Sequence, residues 1–530
     1  MASYINLGNR GFASVVNGEY VDKTGLIAEI NDTLGKEKRF SCVSRCRRFG
    51  KSMAAKMLCA YYDRSCDSRE LFRGLEIEKH PDFEKHLNKY PVIYVDMTNF
   101  LTEYGHDNEI VQYIQRSLID SVVKAFPDVE FSDTSKFMDV LIDVTDATGD
   151  QFIMIIDEWD AICREFAHSE QAMGEYVNLL RRMFKSVDAV NVFAGVYMTG
   201  ILPIKKYKTE SALNNFREYS MVQPKGLEGF LGFTKKEVER LCEKYGMDYA
   251  EMAKWYDGYS IGNEPSIFNP NSVMEAIEAR ECDSYWSATG AYEAVARYIQ
   301  MDFEGLQGDI VKMLMGGSCP VDTTGFQNDP AIILTKNDVF TLLIHLGYLA
   351  YNKAEKRCYV PNMEVAGELK NAIERNGWKT VMDAINASER LLSDLLDGDT
   401  EAVEAGIEAA HESNASILAY NDENSLASVI GMAFYSARSK YKIIRELPTG
   451  KGFADMVFVP WRNVSLPAIV VELKWKQDAK TALGQIRERN YPDSLKEYAG
   501  EVILCGLMRD RTDMTTTYND IQLAARHNQR

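Results

Sequence analysis

Between residues 39 and 200 the chain alternates short apolar runs, RFSCVS, PVIYVDM, FIMIIDE and NVFAGVYMT, with longer amphipathic stretches. That alternation predicts strands joined by helices, the order that builds an α/β parallel sheet. From about 232 to 420 the pattern turns mainly helical. FTKKEVERLCEKYG predicts a helix with Thr234 as N-cap and Gly246 as its stop, and the span 364–410 is rich in Ala, Glu and Leu. A second α/β unit starts near 421, with helix 424–438, strands 441–446, 453–460 and 467–474, helix 479–489 and strand 501–507. No Pro/Gly/Ser-rich linker, low-complexity tract or internal repeat marks the boundaries. Pattern alone therefore divides the chain into 1–230, 231–420 and 421–530.

Composition agrees with this division. A chain of 530 residues is too long for one ordinary domain, and 46% hydrophobic with 26% charged residues reads as globular. No uncharged apolar run reaches the roughly 18 residues a membrane helix needs, and MASYINLGNRGFASVVNGEY lacks the regions of a signal peptide, so a cytoplasmic protein is expected. The ten cysteines include no CxxC pair, which points to reduced, mostly buried thiols rather than a zinc ribbon or a disulfide framework. A net charge of −18 argues against a broad nucleic-acid-coating surface. Local basic clusters remain, at Arg45, Arg47, Arg48 and Lys51 and at Lys474, Lys476, Lys480, Arg487 and Arg489. A solvated helix face is the plainer account of the second cluster.

The segment SRCRRFGKSMAAKML follows an apolar run and opens a helix, the context of a phosphate-binding loop. Backbone amides at the helix start and the Lys51 amine would meet the phosphates, with Ser52 on magnesium. The full motif wants a glycine where this chain has Arg45, so the turn has to be made differently. A bare GKS also occurs by chance. About a hundred residues on, FIMIIDE runs five apolar residues into Asp157 and Glu158. A buried strand ending in Asp-Glu sets one carboxylate on the magnesium shell and the next to activate water. Acids are also favourable at the helix start that follows a strand. The next strand ends at Met198-Thr199-Gly200, where Thr199 is a candidate sensor of the γ-phosphate. WYDGY at 255–259 packs an acid among aromatics, and its preferred reading is structural, with Asp257-Gly258 as a turn. Asp22 and Lys23 are not placed by sequence.

Near the end, Asp455 enters one apolar run and Glu472-Leu473-Lys474 closes the next. Residues two apart on a strand share a face, so two acids and an amine can converge. Such a set holds a divalent metal on hard oxygens while a cation steadies the attacking water. An isolated ELK is more often a surface strand end. Glu423 before the first helix, Glu446 at the end of the preceding strand, Gln485 and Tyr491 raise its interest.

With YVDKTGLI at 20–27, RRFGKS at 47–52, IDEWD, MTGI, WYDGY, FNPNS at 268–272, YW at 285–286, GYLAY at 347–351 and VPNMEV at 360–365, the chain resembles the AAA-ATPase-like family. GFADMVFVP, VVELKWK and ALGQIRERNY resemble the PD-(D/E)xK nuclease domain found beside it. In the family the loop reads PRRFGKS, so the missing first glycine is a family trait, and Cys46 stands where a proline is usual. The resemblance implies an N-terminal P-loop ATPase of the ASCE type, with PVIYVDM as the additional strand, a helical middle, and a restriction-endonuclease-like α/β domain. It implies ATP bound by Arg48, Phe49, Gly50, Lys51, Ser52, Asp157 and Thr199, with Ser52 and Asp157 on Mg2+ and Glu158 catalytic. It also implies phosphodiester cleavage by Asp455, Glu472 and Lys474. Asp455, Glu472 and Glu423 would hold Mg2+, with Mn2+ as an alternative, and Gln485, Tyr491 and Glu446 would support the site. Nucleic acid, DNA ahead of RNA, is the expected partner, with no membrane and an optional homo-oligomer. Arg181 and Arg182 are candidate trans-acting arginines. Two readings stay beside the ATP-coupled nuclease: a nucleotide-dependent switch that binds without cutting, and a simple nuclease with a vestigial loop.

Overall fold

The structure is a computed structural model that describes residues 3–526 apart from 106–108, 167–168, 205, 208–209, 212, 287–304, 315, 327–332, 334, 376–378, 415–429, 432, 450–451, 461–465, 476–500, 513–514 and 518–521. It forms two compact units, Met1–Tyr298 with Pro320–Gly367, and Ile299–Cys319 with Glu368–Arg530.

The first unit is built on a sheet of β1 (Phe40–Ser44), β2 (Val92–Asp96), β3 (Phe152–Asp157), β4 (Phe193–Gly200) and β5 (Arg217–Tyr219). All pairs are parallel, in the order β2-β3-β4-β1-β5. The run FIMIID is continuously apolar because both faces of β3 are covered. Phe152, Met154 and Ile156 join the core formed with helices Ile110–Ala125, Phe137–Thr148 and Glu170–Phe184. Ile153 and Ile155 join the opposite core, with helices Gly25–Asn31 and Lys51–Tyr62. One expectation is corrected here. PVIYVDM lies between the two motif strands in sequence, but in the sheet it is β2, outside β3, and β4 is the strand inserted between β1 and β3. Adjacency in sequence does not fix order in a sheet built from crossovers.

The expected helix after Phe233 forms as Lys235–Tyr245, with a Thr234/Glu237 capping box and Gly246 left-handed at its end. It packs with helices Tyr249–Tyr256 and Pro270–Ala279 around Val238, Leu241, Met252, Tyr256 and Val273. Short antiparallel strands interrupt this helical stretch, Tyr259–Ile261 with Glu264–Phe268 and Ala350–Asn352 with Arg357–Tyr359. Three to five residues are too few for a sustained period-two pattern.

In the second unit the strands are β6 (Tyr441–Thr449), β7 (Gly452–Pro460), β8 (Ala468–Trp475), β9 (Val502–Thr512), β10 (Thr515–Thr517) and β11 (Gln522–Arg526). Strands β6 to β10 pair in sequence order and β11 pairs with β9. The first three are antiparallel neighbours, and β8 runs parallel to β9. The helix expected over 479–489 lies outside the described residues. That expected over 424–438 does so in part, and its described end, Tyr435–Ser439, is a 3-10 helix. Among the described residues no helix is long and apolar enough to cross a membrane.

Candidate nucleotide and nuclease sites

The loop after β1 is held without the missing glycine. Arg45 is fully buried, and its guanidinium donates from Nη1 to the carbonyls of Ser44 at 2.9 Å and Tyr219 at 3.1 Å and from Nη2 to Leu227 at 3.3 Å. The position expected to give a tight turn thus ties β1 to β5, and burial lowers the Arg45 pKa to about 10. The turn is made further on, by left-handed Arg48 (φ 66°) and Gly50 (φ 85°). Phe49 is buried, with its ring edge-on to Tyr259 at 5.2 Å and its carbonyl accepting from Gly232 N at 3.1 Å. Arg48 is exposed, donating to the Tyr285 carbonyl at 2.6 Å. Lys51 closes the loop, its Nζ donating to the Cys46 carbonyl at 3.2 Å.

Adjacent strand tips bring the carboxylates to this loop. Asp157 ends β3 and is 1% exposed, and its carboxylate accepts from the Thr199 hydroxyl at the end of β4, from the Ser52 hydroxyl, and from Tyr94 Oη at 3.4 Å. Burial raises its pKa, and the Thr199 and Ser52 hydrogen bonds offset part of that. Among the described residues it has no ion-pair partner. A buried carboxylate ringed by hydroxyls and lacking a cation fits a bound Mg2+. Glu158, left-handed at φ 52°, donates its backbone N–H to Thr199 Oγ1 at 3.3 Å. Its carboxylate lies between Lys51 Nζ at 3.4 Å and Arg164 Nη2 at 2.9 Å. Burial works to raise the Glu158 pKa, but Lys51 and Arg164 outweigh it and hold the carboxyl below its usual range. Gly200 admits the loop beyond, since a Cβ there would meet Asp160 Oδ1 and the Trp159 ring at 2.7 Å.

In the second unit the backbone register brings the expected residues together. Met456↔Val471, Val457↔Val470 and Phe458↔Ile469, continued by one residue, set Asp455 opposite Glu472. Between the pairs Arg445↔Met456 and Leu447↔Ala454, Glu446 falls opposite Asp455. Positions 446, 455 and 472 thus form one row across β6, β7 and β8. Gly506 is next to Glu472 on β9, and Lys474 lies two residues along β8. Glu423, Gln485 and Tyr491 lie outside the described residues. Among the described residues no group of three or more His, Cys, Asp or Glu is arranged to hold a metal ion.

Residues 8–209 match the family model described as a predicted AAA-ATPase, and residues 421–517 match that of the PD-(D/E)XK nuclease superfamily. The chain joins an AAA-ATPase-like domain to a PD-(D/E)XK nuclease superfamily domain. Among solved structures it is similar to AMPPCP-bound DnaA from Aquifex aeolicus, at 10% identity and TM-score 0.21 over 57% of this chain and 71% of that one. It is also similar to the Aeropyrum pernix ORC2 protein in ADPNP-ADP complexes, at 12% identity and TM-score 0.25 over 71% and 99%. The Aeropyrum pernix ORC1 protein in complex with DNA matches at 13% identity and TM-score 0.24, over 71% and 98%. Superpositions this loose decide nothing about the present chain. No curated protein matches it.

In the first unit the loop opens onto a cavity of about 610 Å3, within the size range of small-molecule sites. Lys51, Ser52, Thr98, Glu158 and Arg164 supply polar lining, and Tyr20, Val21, Met57, Phe230, Phe233 and Met274 supply apolar surface. Lys23 also lines it, but its amine is engaged by Glu237 and the Gly229 carbonyl, each at 2.7 Å. Asp22 accepts from Thr24 N at 2.9 Å and Glu76 N at 2.7 Å, a turn-forming role. Asp257 likewise serves its own turn, accepting from Gly258 N at 2.6 Å and Ser266 Oγ at 2.8 Å. Sequence reasoning missed Arg164 and Asp160. Asp160 closes IDEWD and Arg164 follows it by four residues, a helix-pair spacing that could have found them.

Proposed function

We propose that the AAA-ATPase-like domain binds and hydrolyses ATP with Mg2+, and that this cycle governs a metal-dependent nuclease formed by the C-terminal domain. The observation that carries the first part is the hydrogen-bonded cluster of Ser52, Asp157, Thr199, Lys51 and Glu158, of which Lys51, Ser52 and Glu158 line a nucleotide-sized cavity. Amides at the start of the helix Lys51–Tyr62 and the Lys51 amine meet the β- and γ-phosphates. Ser52 and Asp157 hold Mg2+, which supplies charge neutralisation to the phosphate oxygens when bound. Glu158 orients and deprotonates the attacking water, and Thr199 reads the γ-phosphate from the neighbouring strand tip.

For the second part, the support is the row of acidic positions 446, 455 and 472 with Lys474 close by. Asp455 and Glu472 hold one or two divalent ions, Mg2+ or Mn2+, with Glu423 and Glu446 contributing at the margin. Lys474 steadies the attacking water and the developing phosphate charge, while Gln485 and Tyr491 support the site or touch the nucleic-acid backbone. The substrate is nucleic acid, DNA ahead of RNA. A nuclease harmful to its own host needs restraint, which suits a role in defence or mobile-element biology. The net charge of −18 favours a second reading, in which the nuclease-like domain binds nucleic acid or a partner without cutting.

Nucleotide binding tests the first part. A fluorescent ATP analogue should bind the wild type with micromolar affinity, and Lys51→Ala should weaken it at least about tenfold. Unchanged affinity would remove the assignment of this loop.

A further inference from the structure

Arg164 lines the cavity and has no part in the roles above. Its guanidinium forks between two acids, with Nη2 donating to Glu158 Oε2 at 2.9 Å and Nη1 in an ion pair with Asp160 Oδ2 at 2.6 Å. Asp160 is itself fixed, 1% exposed and accepting from the backbone N–H groups of Ile201 at 3.2 Å and Leu202 at 3.0 Å. Those two residues directly follow β4, the strand that carries Thr199. The guanidinium is therefore anchored to the sheet by one arm and holds Glu158 by the other.

Glu158 has a second cation, Lys51, and the two are not equivalent. Lys51 lies at the phosphate-binding helix start, and an arriving polyphosphate offers it more negative charge at closer range than one carboxylate. As Lys51 turns to phosphate, Glu158 loses that partner. Arg164 cannot follow, because Asp160 holds it back. We infer that Arg164 is the positioning residue for the water-activating Glu158. It keeps Oε2 fixed after Lys51 is drawn to the phosphates and leaves Oε1 free to accept the proton of the attacking water. This inference rests on the reading of the first domain as an ATPase.

The same fork could instead serve only to hold the loop in shape, or Arg164 could touch phosphate itself. Steady-state hydrolysis and fluorescent-nucleotide affinity of the full chain separate these. The variants are Arg164→Ala, Arg164→Lys, Glu158→Gln and Arg164→Ala combined with Glu158→Gln. Loss of a correctly placed base costs about 10²–10⁴ in rate, so Arg164→Ala should lower kcat about 10- to 100-fold, with KM and affinity within about threefold of wild type. Arg164→Lys, which keeps a cation for Asp160 but has no fork, should recover part of the rate. In the Glu158→Gln background the Arg164→Ala change should alter kcat less than about threefold, because its partner is already gone. Equal kcat for Arg164→Ala and wild type would overturn the inference. So would the same fall in both backgrounds, the sign of a direct phosphate contact, and so would a fall matched by lost affinity that lysine does not recover. A wild type that releases no phosphate would sink the ATPase reading together with this one, whereas an active wild type indifferent to Arg164 sinks only this one.

Discussion

Thr199 joins the two acids of the nucleotide site, giving its hydroxyl proton to Asp157 and accepting from the backbone N–H of Glu158. Valine keeps its shape and removes both bonds, leaving a half-buried N–H and a buried carboxylate short of a donor. Thr199→Val should cost about 1–3 kcal/mol in urea unfolding, and a change below about 0.5 kcal/mol would show that neither bond matters to the fold. His345 is a second residue with a stated outcome. Fully buried, stacked on Phe326 at 5.5 Å and with no hydrogen-bond partner for Nδ1 among the described residues, it has its pKa lowered to about 3 by burial and by the nearby Arg45. The folded state thus keeps it neutral while the unfolded chain takes up a proton near pH 6.5. Its contribution is present above that pH and is lost as pH falls toward 3, at up to about 1.4 kcal/mol per pH unit. Unfolding free energies measured from pH 7 to 4.5 should fall less steeply for His345→Leu than for wild type, and parallel curves would contradict this. At this scale the sequence exposed Lys51, Ser52, Asp157 and Glu158 because motif spacing marks them. It hid Arg45, whose partner carbonyls at Tyr219 and Leu227 lie more than 170 residues away. No local pattern encodes such a contact.

Elements were legible where one pattern ran long enough. β3 betrayed itself by an apolar run covered on both faces, and the helix Lys235–Tyr245 by its capping box and terminal glycine. The short strands around WYDGY did not, and neither did the place of β4 between β1 and β3, which is a property of crossovers. Strands 441–446, 453–460, 467–474 and 501–507 were each found within a few residues, while β10 and β11 were not foreseen. A further point concerns the helices Lys379–Asp397 and Thr400–Asn414. Their Leu391, Leu392, Leu395, Val403 and Ile407 belong to the same core as Met456, Phe458, Ile469, Val471 and Ile503 of the C-terminal sheet. Burying five such side chains contributes about 7–15 kcal/mol, as much as the net stability of a domain. A fragment of residues 421–530 should therefore show no cooperative unfolding, whereas 368–530 should show a transition by circular dichroism. Equal cooperativity in both would mean that the helical hairpin is dispensable to that core.

Taken whole, the molecule joins two domains on one acidic chain. The AAA-ATPase-like domain at 8–209 and the nuclease superfamily domain at 421–517 each have their own sheet. Both were visible in the sequence as motifs on predicted strand ends. The register of the second sheet was not, since pairing Glu446, Asp455 and Glu472 in one row needs three strands aligned at once. The central claim is that this row, with Lys474, cuts nucleic acid under control of the first domain. Its most direct test is cleavage of plasmid and single-stranded DNA and of RNA by purified wild type, Lys474→Ala and Lys51→Ala, with Mg2+ or Mn2+ and ATP varied together. The account predicts cleavage that requires the metal, disappears in Lys474→Ala, and responds to ATP only while Lys51 is intact. Metal-dependent cleavage of equal rate in wild type and Lys474→Ala, or no cleavage under any combination of metal and nucleotide, would contradict it.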